Sequence, residues 1–252
     1  MSFFKINKIF LSHLHGDHIT GLPGLVMSLA LGKREKNLSI YGPKGIKEFI
    51  NNVIDTMHFD LTYPLEIVEI NGEENFEFLN YKITCFPLEH RIFTLGFIII
   101  EKPTAKFDVE KAKSLNIPKG PLWGKLKSGE SIYLNNGRVI QPSQVLGNIK
   151  PGKKILYCTD TRPTIKTEDL SKNADLLIHD GMFEENLKDF ATIGGHSTVV
   201  EAAKLAKNAN VKKLILFHIS SRYENNSSIL ELQARNIFPH SFIAEDLMRI
   251  LV

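Results

Sequence analysis

The sequence predicts a layered α/β protein, and three observations predict it. Strand-like and helix-like segments alternate along the chain instead of gathering into separate blocks. Several apolar strand-like runs stop abruptly at a histidine or an aspartate, and layered α/β structures gather ligands in just that place, outside the carboxyl ends of their strands. The 252 residues, 43% hydrophobic and 23% charged, have a globular balance and suffice for one domain with a large core, or one domain with an appendage.

In chain order, residues 8–11 read as a short buried strand that delivers Ser12-His13-Leu14-His15-Gly16-Asp17-His18 onto a loop, with Gly16 marking a sharp bend. His13 and His15, two apart in an extended segment, project to one side and can share an ion. Asp17 and His18 follow the bend and can face a second. Neutral imidazole nitrogens and carboxylate oxygens without a thiolate suit zinc, with manganese or iron as alternatives. Pro23 stands where a first-turn proline belongs, and a helix continues over 25–31. A strand over 38–41 is closed by Gly42-Pro43. Ile46, Phe49, Ile50, Val53 and Ile54 recur at helical spacing, so 44–56 is an amphipathic helix.

Residues 65–70, 76–79 and 81–86 read as strands, the last ending at Pro87-Leu88-Glu89-His90. Between 102 and 144 prolines, glycines and lysines multiply and periodicity fades, which predicts an arm projecting from the core. A strand over 154–158 resumes the core and is followed by Thr159-Asp160. A strand over 175–178 ends at His179-Asp180. Thr198 and Glu201 form a capping box for a helix running to about Asn208, and a strand over 214–217 ends at His218. His13, His90, Asp160 and His218 thus all stand at strand ends, which predicts one shared site.

The formal net charge of +3 is too small to mark a nucleic-acid binder by itself. Its distribution says more. Residues 102–127 carry seven lysines against Asp108 and Glu110, a surplus of five, so the rest of the chain sums to −2. Such a patch attracts phosphates at long range and with strong salt dependence. Cys85 and Cys158 lie inside apolar strand-like runs and are expected to be buried reduced thiols. No run is long and apolar enough to span a bilayer, and the N-terminus lacks the basic-then-apolar layout of a signal peptide. The expected location is the cytoplasm.

His13-Leu14-His15-Gly16-Asp17-His18 resembles the signature of the metallo-β-lactamase superfamily. With Gly21-Leu22-Pro23-Gly24-Leu25 after it, the stretch is similar to the ribonuclease Z family, endonucleases that trim the 3′ end of precursor tRNA. The resemblance implies an αββα sandwich over 1–252, with 102–144 inserted as an exosite that grips the tRNA body. It implies that His13, His15 and His90 hold one ion, that Asp17, His18 and His218 hold the other, and that Asp160 bridges them. Two ions of this kind suit in-line phosphodiester hydrolysis. Asp17 then orients or deprotonates the attacking water. His196, in Gly194-Gly195-His196-Ser197-Thr198, resembles the general acid of the family's H-S-T loop. Asp180 stands where the family usually has the glutamate that supports this histidine, and its shorter side chain is expected to reach less well.

Arg222, in Ser220-Ser221-Arg222-Tyr223, offers a fork for a phosphate or a surface ion-pair partner. Gly120-Pro121-Leu122-Trp123-Gly124-Lys125 resembles the exosite's glycine-proline motif, with Gly120, Pro121 and Lys125 touching the substrate, and Trp123 either stacks on a base or packs inside the arm. The expected partners are precursor tRNA and a second copy of the chain. Members of the family usually carry further strands before the histidine motif, so the chain reads as N-terminally incomplete, by a displaced start, fragmentation or natural shortening. Two alternatives stay open: another phosphodiesterase or esterase of the same fold, and a shortened tRNA-binding chain with little activity.

Overall fold

A computed structural model describes residues 3–252; Met1 and Ser2, where the reading of a displaced start begins, lie outside the described residues. The chain divides into two compact units, one made of the chain up to Ile99 together with Lys154–Val252, the other of Ile100–Lys153.

The first unit opens with β1 (Lys8–Phe10), the single-turn helix α1 (Gly16–Ile19), α2 (Gly21–Leu31), β2 (Leu38–Pro43), α3 (Ile46–Thr56) and β3 (Leu65–Ile70). The three strands form one parallel sheet in the order β1-β2-β3, with helices as the crossovers that parallel pairing requires. Strand alternation assigns the two faces. Ile40 turns to the helices and packs with Val26, Leu29, Ile46 and Ile50, whereas Tyr41 turns to the opposite side and joins Ile70, Ile83, Leu95 and Phe97. Helix α3 starts at Gly45, whose φ of 100° is open to glycine, and Glu69 in β3 accepts the Gly45 and Lys47 N–H groups at 2.7 and 3.2 Å. The chain turns at Gly16 from extended His15 into α1, but the turn does not need glycine: its φ is not positive, and a Cβ there meets only Thr20 Cγ2 at 3.8 Å. Asp17 and His18 therefore ride on a turn of helix.

The hairpin β4 (Glu74–Glu77) and β5 (Tyr81–Leu88) leads into β6 (Thr94–Glu101), a strand outside the expected set. Gly96 in β6 lies against Phe86, where a Cβ would come within 2.7 Å of the ring, so this crossing tolerates no side chain.

The second unit, which contains the expected arm, holds β7 (Thr104–Phe107), α4 (Val109–Ser114), α5 (Pro121–Lys127), β8 (Ile132–Tyr133), β9 (Val139–Ile140) and β10 (Leu146–Lys150). β7 pairs antiparallel with β10, and β8 with β9. Ala112, Ile117, Leu126, Ile132, Ile140 and Val145 form a separate core. Periodicity fades in the sequence because each element is short. Trp123 packs on Phe107 and donates Nε1–H to the Ile117 carbonyl at 3.2 Å, which places it inside the arm.

The first unit closes with β11 (Lys154–Cys158), α6 (Ile165–Ser171), β12 (Leu176–Asp180), α7 (Lys188–Gly194), α8 (Val199–Asn208), β13 (Leu214–Phe217), α9 (Ser228–Arg235) and β14 (Ser241–Ile243). The second sheet runs β14-β13-β12-β11-β6-β5-β4, parallel from β11 to β14. Thr198 and Glu201 make the expected capping box for α8. Its buried Ala202, Ala203 and Ala206 let the helix lie close over Leu156, Leu177, Leu214 and Leu216. Helices thus cover the outer faces of two sheets whose inner faces meet, the αββα order that the resemblance implies. Cys85 and Cys158 are both buried free thiols, and burial pushes Cys85 up to about 12, which leaves it unreactive.

Candidate metal centre

Parallel register brings the polar strand ends level. Cys158 in β11 pairs with His179 in β12, and Asp180 pairs with Phe217 in β13, so Asp160 and His218 leave neighbouring parts of one sheet edge. Both stand in the left-handed region, with φ of 44° and 61°. For residues with a Cβ this costs roughly 1–2 kcal/mol each and is tolerated where the surrounding structure fixes the turn. The Leu95 N–H donates to the Ser12 carbonyl at 2.8 Å, which ties the end of β1 to the start of β6 and places His13 beside the same edge. The Arg162 N–H donates to the Glu89 carbonyl at 2.8 Å and brings in His90.

Four ligand atoms, from His13, His15, His90 and Asp160, lie within 4.8 Å of one another, and so do three from Asp17, His18 and His218. Asp160 Oδ2 touches both sets. It lies 3.5 Å from His13 Nε2, 3.9 Å from His90 Nε2, and 3.4 Å from the Nε2 atoms of His18 and His218. Thr159 Oγ1 donates to the other carboxylate oxygen at 2.6 Å and fixes which oxygen faces in. Asp17, with 69% of its side chain exposed, lies 3.4 Å from His18 and 3.8 Å from His218 on the open side.

Backbone and hydroxyl groups orient the rings. Ser12 Oγ holds His13 Nδ1 at 3.0 Å, and the Gly195 carbonyl holds His90 Nδ1 at 2.9 Å, so each Nε2 faces the cluster. Burial among other imidazoles lowers His13 to about 3 and lowers His90 as well, keeping both neutral and able to donate a lone pair. The Asp160 carboxylate raises His18. Burial opposes ionisation of Asp160, yet His18, the Thr159 hydroxyl and His218 hold it well below the usual carboxylate range.

His196 enters the same space, with Asp160 and His218 ligand atoms within 4.8 Å of its own and its ring 5.1 Å from that of His218. Asp180, expected to fall short, reaches its Nδ1 at 2.8 Å. Burial works against protonation of His196, but the Asp180 carboxylate outweighs it and raises the imidazole above its ordinary value. Arg222 is exposed and lies over the Phe183 ring at 5.1 Å. In the second unit, Gly120 caps α5 with φ 144°, Pro121 is its first residue, and Lys125 is exposed on it. Ser12, Thr159 and Gly195 escaped sequence reasoning as orienting groups; their one signal is position beside a ligand-type residue.

A family profile described as "Beta-lactamase superfamily domain" matches residues 2–108 and 132–219, and the interval between the two matched stretches holds α4 and α5. Ribonuclease Z of Archaeoglobus fulgidus is 43% identical, covering 99% of this chain and 82% of its own length. Ribonuclease Z of Methanothermobacter thermautotrophicus is 40% identical over 98% and 80%. Among solved structures, the short form of human tRNase Z superposes with a TM-score of 0.66 at 25% identity, covering 98% of this chain and 80% of that one. The metallo-beta-lactamase fold protein YhfI from Bacillus subtilis, at 19% identity, TM-score 0.65 and coverage of 97% and 77%, shares the fold.

Proposed function

The chain belongs to the ribonuclease Z family of the metallo-β-lactamase superfamily, and on that premise we propose that it is a metal-dependent endoribonuclease that removes the 3′ trailer from precursor tRNA. The observation that carries this reading is the position of Asp160 Oδ2, one oxygen within 3.5 Å of His13, His18 and His218, as a carboxylate shared by two ions requires.

The donors suit metal. His18 Nε2 is enclosed without a hydrogen-bond partner, and His13 is held neutral. In our reading His13, His15 and His90 would hold one ion, Asp17, His18 and His218 would hold the other, and Asp160 would serve both. Imidazole and carboxylate without thiolate favour zinc, with manganese or iron as alternatives. Such ions, when bound, lower the pKa of water and offset charge on the phosphodiester oxygens.

The chain's own residues supply the rest. Asp17, on the open side, orients the attacking water and accepts its proton. As the bond from phosphorus to the 3′-oxygen of the tRNA breaks, His196 gives that oxygen a proton from Nε2, its Nδ1 held by Asp180. The second unit carries ten basic against four acidic residues, and we assign it the grip on the tRNA body, with Gly120 and Pro121 shaping the start of α5 and Lys125 facing phosphate. Arg222 stays a candidate phosphate ligand by its place just after His218. Two buried free thiols fit a reducing compartment, so we place the protein in the cytoplasm. No helix of the described residues is long and apolar enough to cross a membrane. Family membership supports a homodimer.

The test is cleavage of a precursor tRNA by the purified chain. One cut at the trailer junction is expected, lost in chelator and restored by zinc, with Asp160→Ala retaining at most one ion by elemental analysis. Hydrolysis of a small phosphodiester with the precursor left intact would move the assignment to another phosphodiesterase of this fold. Two ions retained by Asp160→Ala would remove that residue from the site.

A further inference from the structure

We propose that Arg162 is a positioning residue that aims His196 at the leaving oxygen. The proposal rests on His196 as proton donor in the reading above. The Arg162 side chain is only 14% exposed and forks onto Glu201, Nη1 to Oε2 at 2.8 Å and Nη2 to Oε1 at 2.5 Å. Nη1 also donates to the backbone carbonyl of His196 at 2.5 Å. Glu201 in turn accepts the Thr198 N–H at 3.0 Å, so the clamp holds the loop on both sides of Ser197.

The residue before Arg162 completes the grip. The Thr161 carbonyl accepts from Ser197 Oγ at 2.5 Å, and the Thr161 N–H donates to Asp180 Oδ2, the oxygen that holds the His196 ring. Backbone, ring and carboxylate of the acid are thus all fastened to Thr161-Arg162, which begins one residue after the shared carboxylate Asp160. A helix cap alone needs Thr198 and Glu201 and no bond to the His196 carbonyl. The arrangement locks the distance from the proton donor to the metal-binding carboxylate.

Arg162→Lys keeps the charge and loses the fork. Two substrates separate the possibilities: precursor tRNA, whose 3′-alkoxide needs a proton, and bis(p-nitrophenyl) phosphate, whose nitrophenolate leaves without one. The expected result is a loss of about 100-fold in kcat on the precursor with KM within about twofold, and less than about threefold on the small diester. In a His196→Ala background the same substitution should add less than about threefold on the precursor, because the group it aims is gone. Elemental analysis should show wild-type metal content. Glu201→Gln, which weakens the clamp from the other side, should give a smaller split of the same kind.

Equal losses on both substrates, depleted metal, or a full additional loss in the His196→Ala background would overturn the proposal. So would failure of both Arg162→Lys and Glu201→Gln to melt cooperatively, since Arg162 would then serve the fold alone. A wild-type chain that hydrolyses the diester and leaves the precursor intact overturns the assigned function, and the clamp with it. Equal losses in Arg162→Lys, when the wild type does cut the precursor, overturn the clamp alone.

Discussion

His196 Nδ1 lies 2.8 Å from Asp180 Oδ2, and the same oxygen receives the Thr161 N–H at 3.0 Å. The other carboxylate oxygen accepts the Met182 N–H at 3.0 Å, so both oxygens of this fully buried side chain have hydrogen-bond partners. With Nδ1 committed to Asp180, Nε2 is the position left to exchange a proton with substrate.

Asp180→Asn keeps the shape and removes the charge. It should lower kcat on precursor tRNA by about 100-fold, the worth of a general acid, with metal content unchanged. Single-turnover cleavage alongside elemental analysis checks this; loss of metal would show that Asp180 serves the ligands instead.

Gly195 sits at φ 75°, and a Cβ there would come within 2.9 Å of His90 Nδ1 and 3.3 Å of the Arg91 backbone nitrogen. Gly195→Ala should therefore turn the His90 ring away from the cluster and break its bond to the Gly195 carbonyl. Metal affinity should fall about 10- to 100-fold, as expected when an outer partner of a ligand is removed. Competition against a chromophoric chelator measures it, and unchanged affinity would mean that His90 is oriented by other groups.

Lys106, Lys119 and Lys125 are exposed on the arm, whereas Lys111 and Lys113 lie 3.8 and 2.8 Å from Asp108 and Glu110 and are partly neutralised there. Replacing the first three with alanine should raise KM for precursor tRNA and reduce the slope of log affinity against log salt by about 0.7–0.9 for each phosphate charge that the arm no longer neutralises. Hydrolysis of bis(p-nitrophenyl) phosphate should stay at the wild-type rate. An unchanged salt slope would take the arm out of tRNA binding.

Glu201 gives a pH dependence with a definite sign. Burial disfavours its charge, but the Arg162 guanidinium and the Thr198 N–H outweigh burial and hold the carboxyl below its ordinary value. A depressed folded pKa contributes stability above the unfolded glutamate value of about 4.3, and that contribution is lost as pH falls through the folded value. The gap in Tm between wild type and Glu201→Gln should be widest near neutral pH and close as the solution is acidified. A gap that widens in acid would contradict the pairing.

Much of this was legible in the sequence because chemistry and periodicity coincide there. The imidazoles of His13, His15 and His18 follow a strand, and the apolar runs 65–70 and 214–217 are strands from end to end. Thr198 and Glu201 cap α8 as their spacing implies. Other parts carried no local signal. β6 is an apolar run broken by Gly96, with Leu95, Phe97 and Ile98 all buried, so it lacks the alternation that separates strand from helix. The four residues of α1 are too few to show a period. Arg162 and Glu201, and the Gly195 carbonyl with His90, meet only after the chain has closed long loops.

The level strand ends that carry Asp160 and His218 also tie the site to the whole fold. The site draws on both ends of the chain, from His13 to His218, and loop closure over such separations is costly before the intervening structure exists. The approach of these side chains therefore depends on the register of both sheets. A metal that fits this cluster would bind the folded chain alone, so added zinc should raise Tm as any ligand of the native state does.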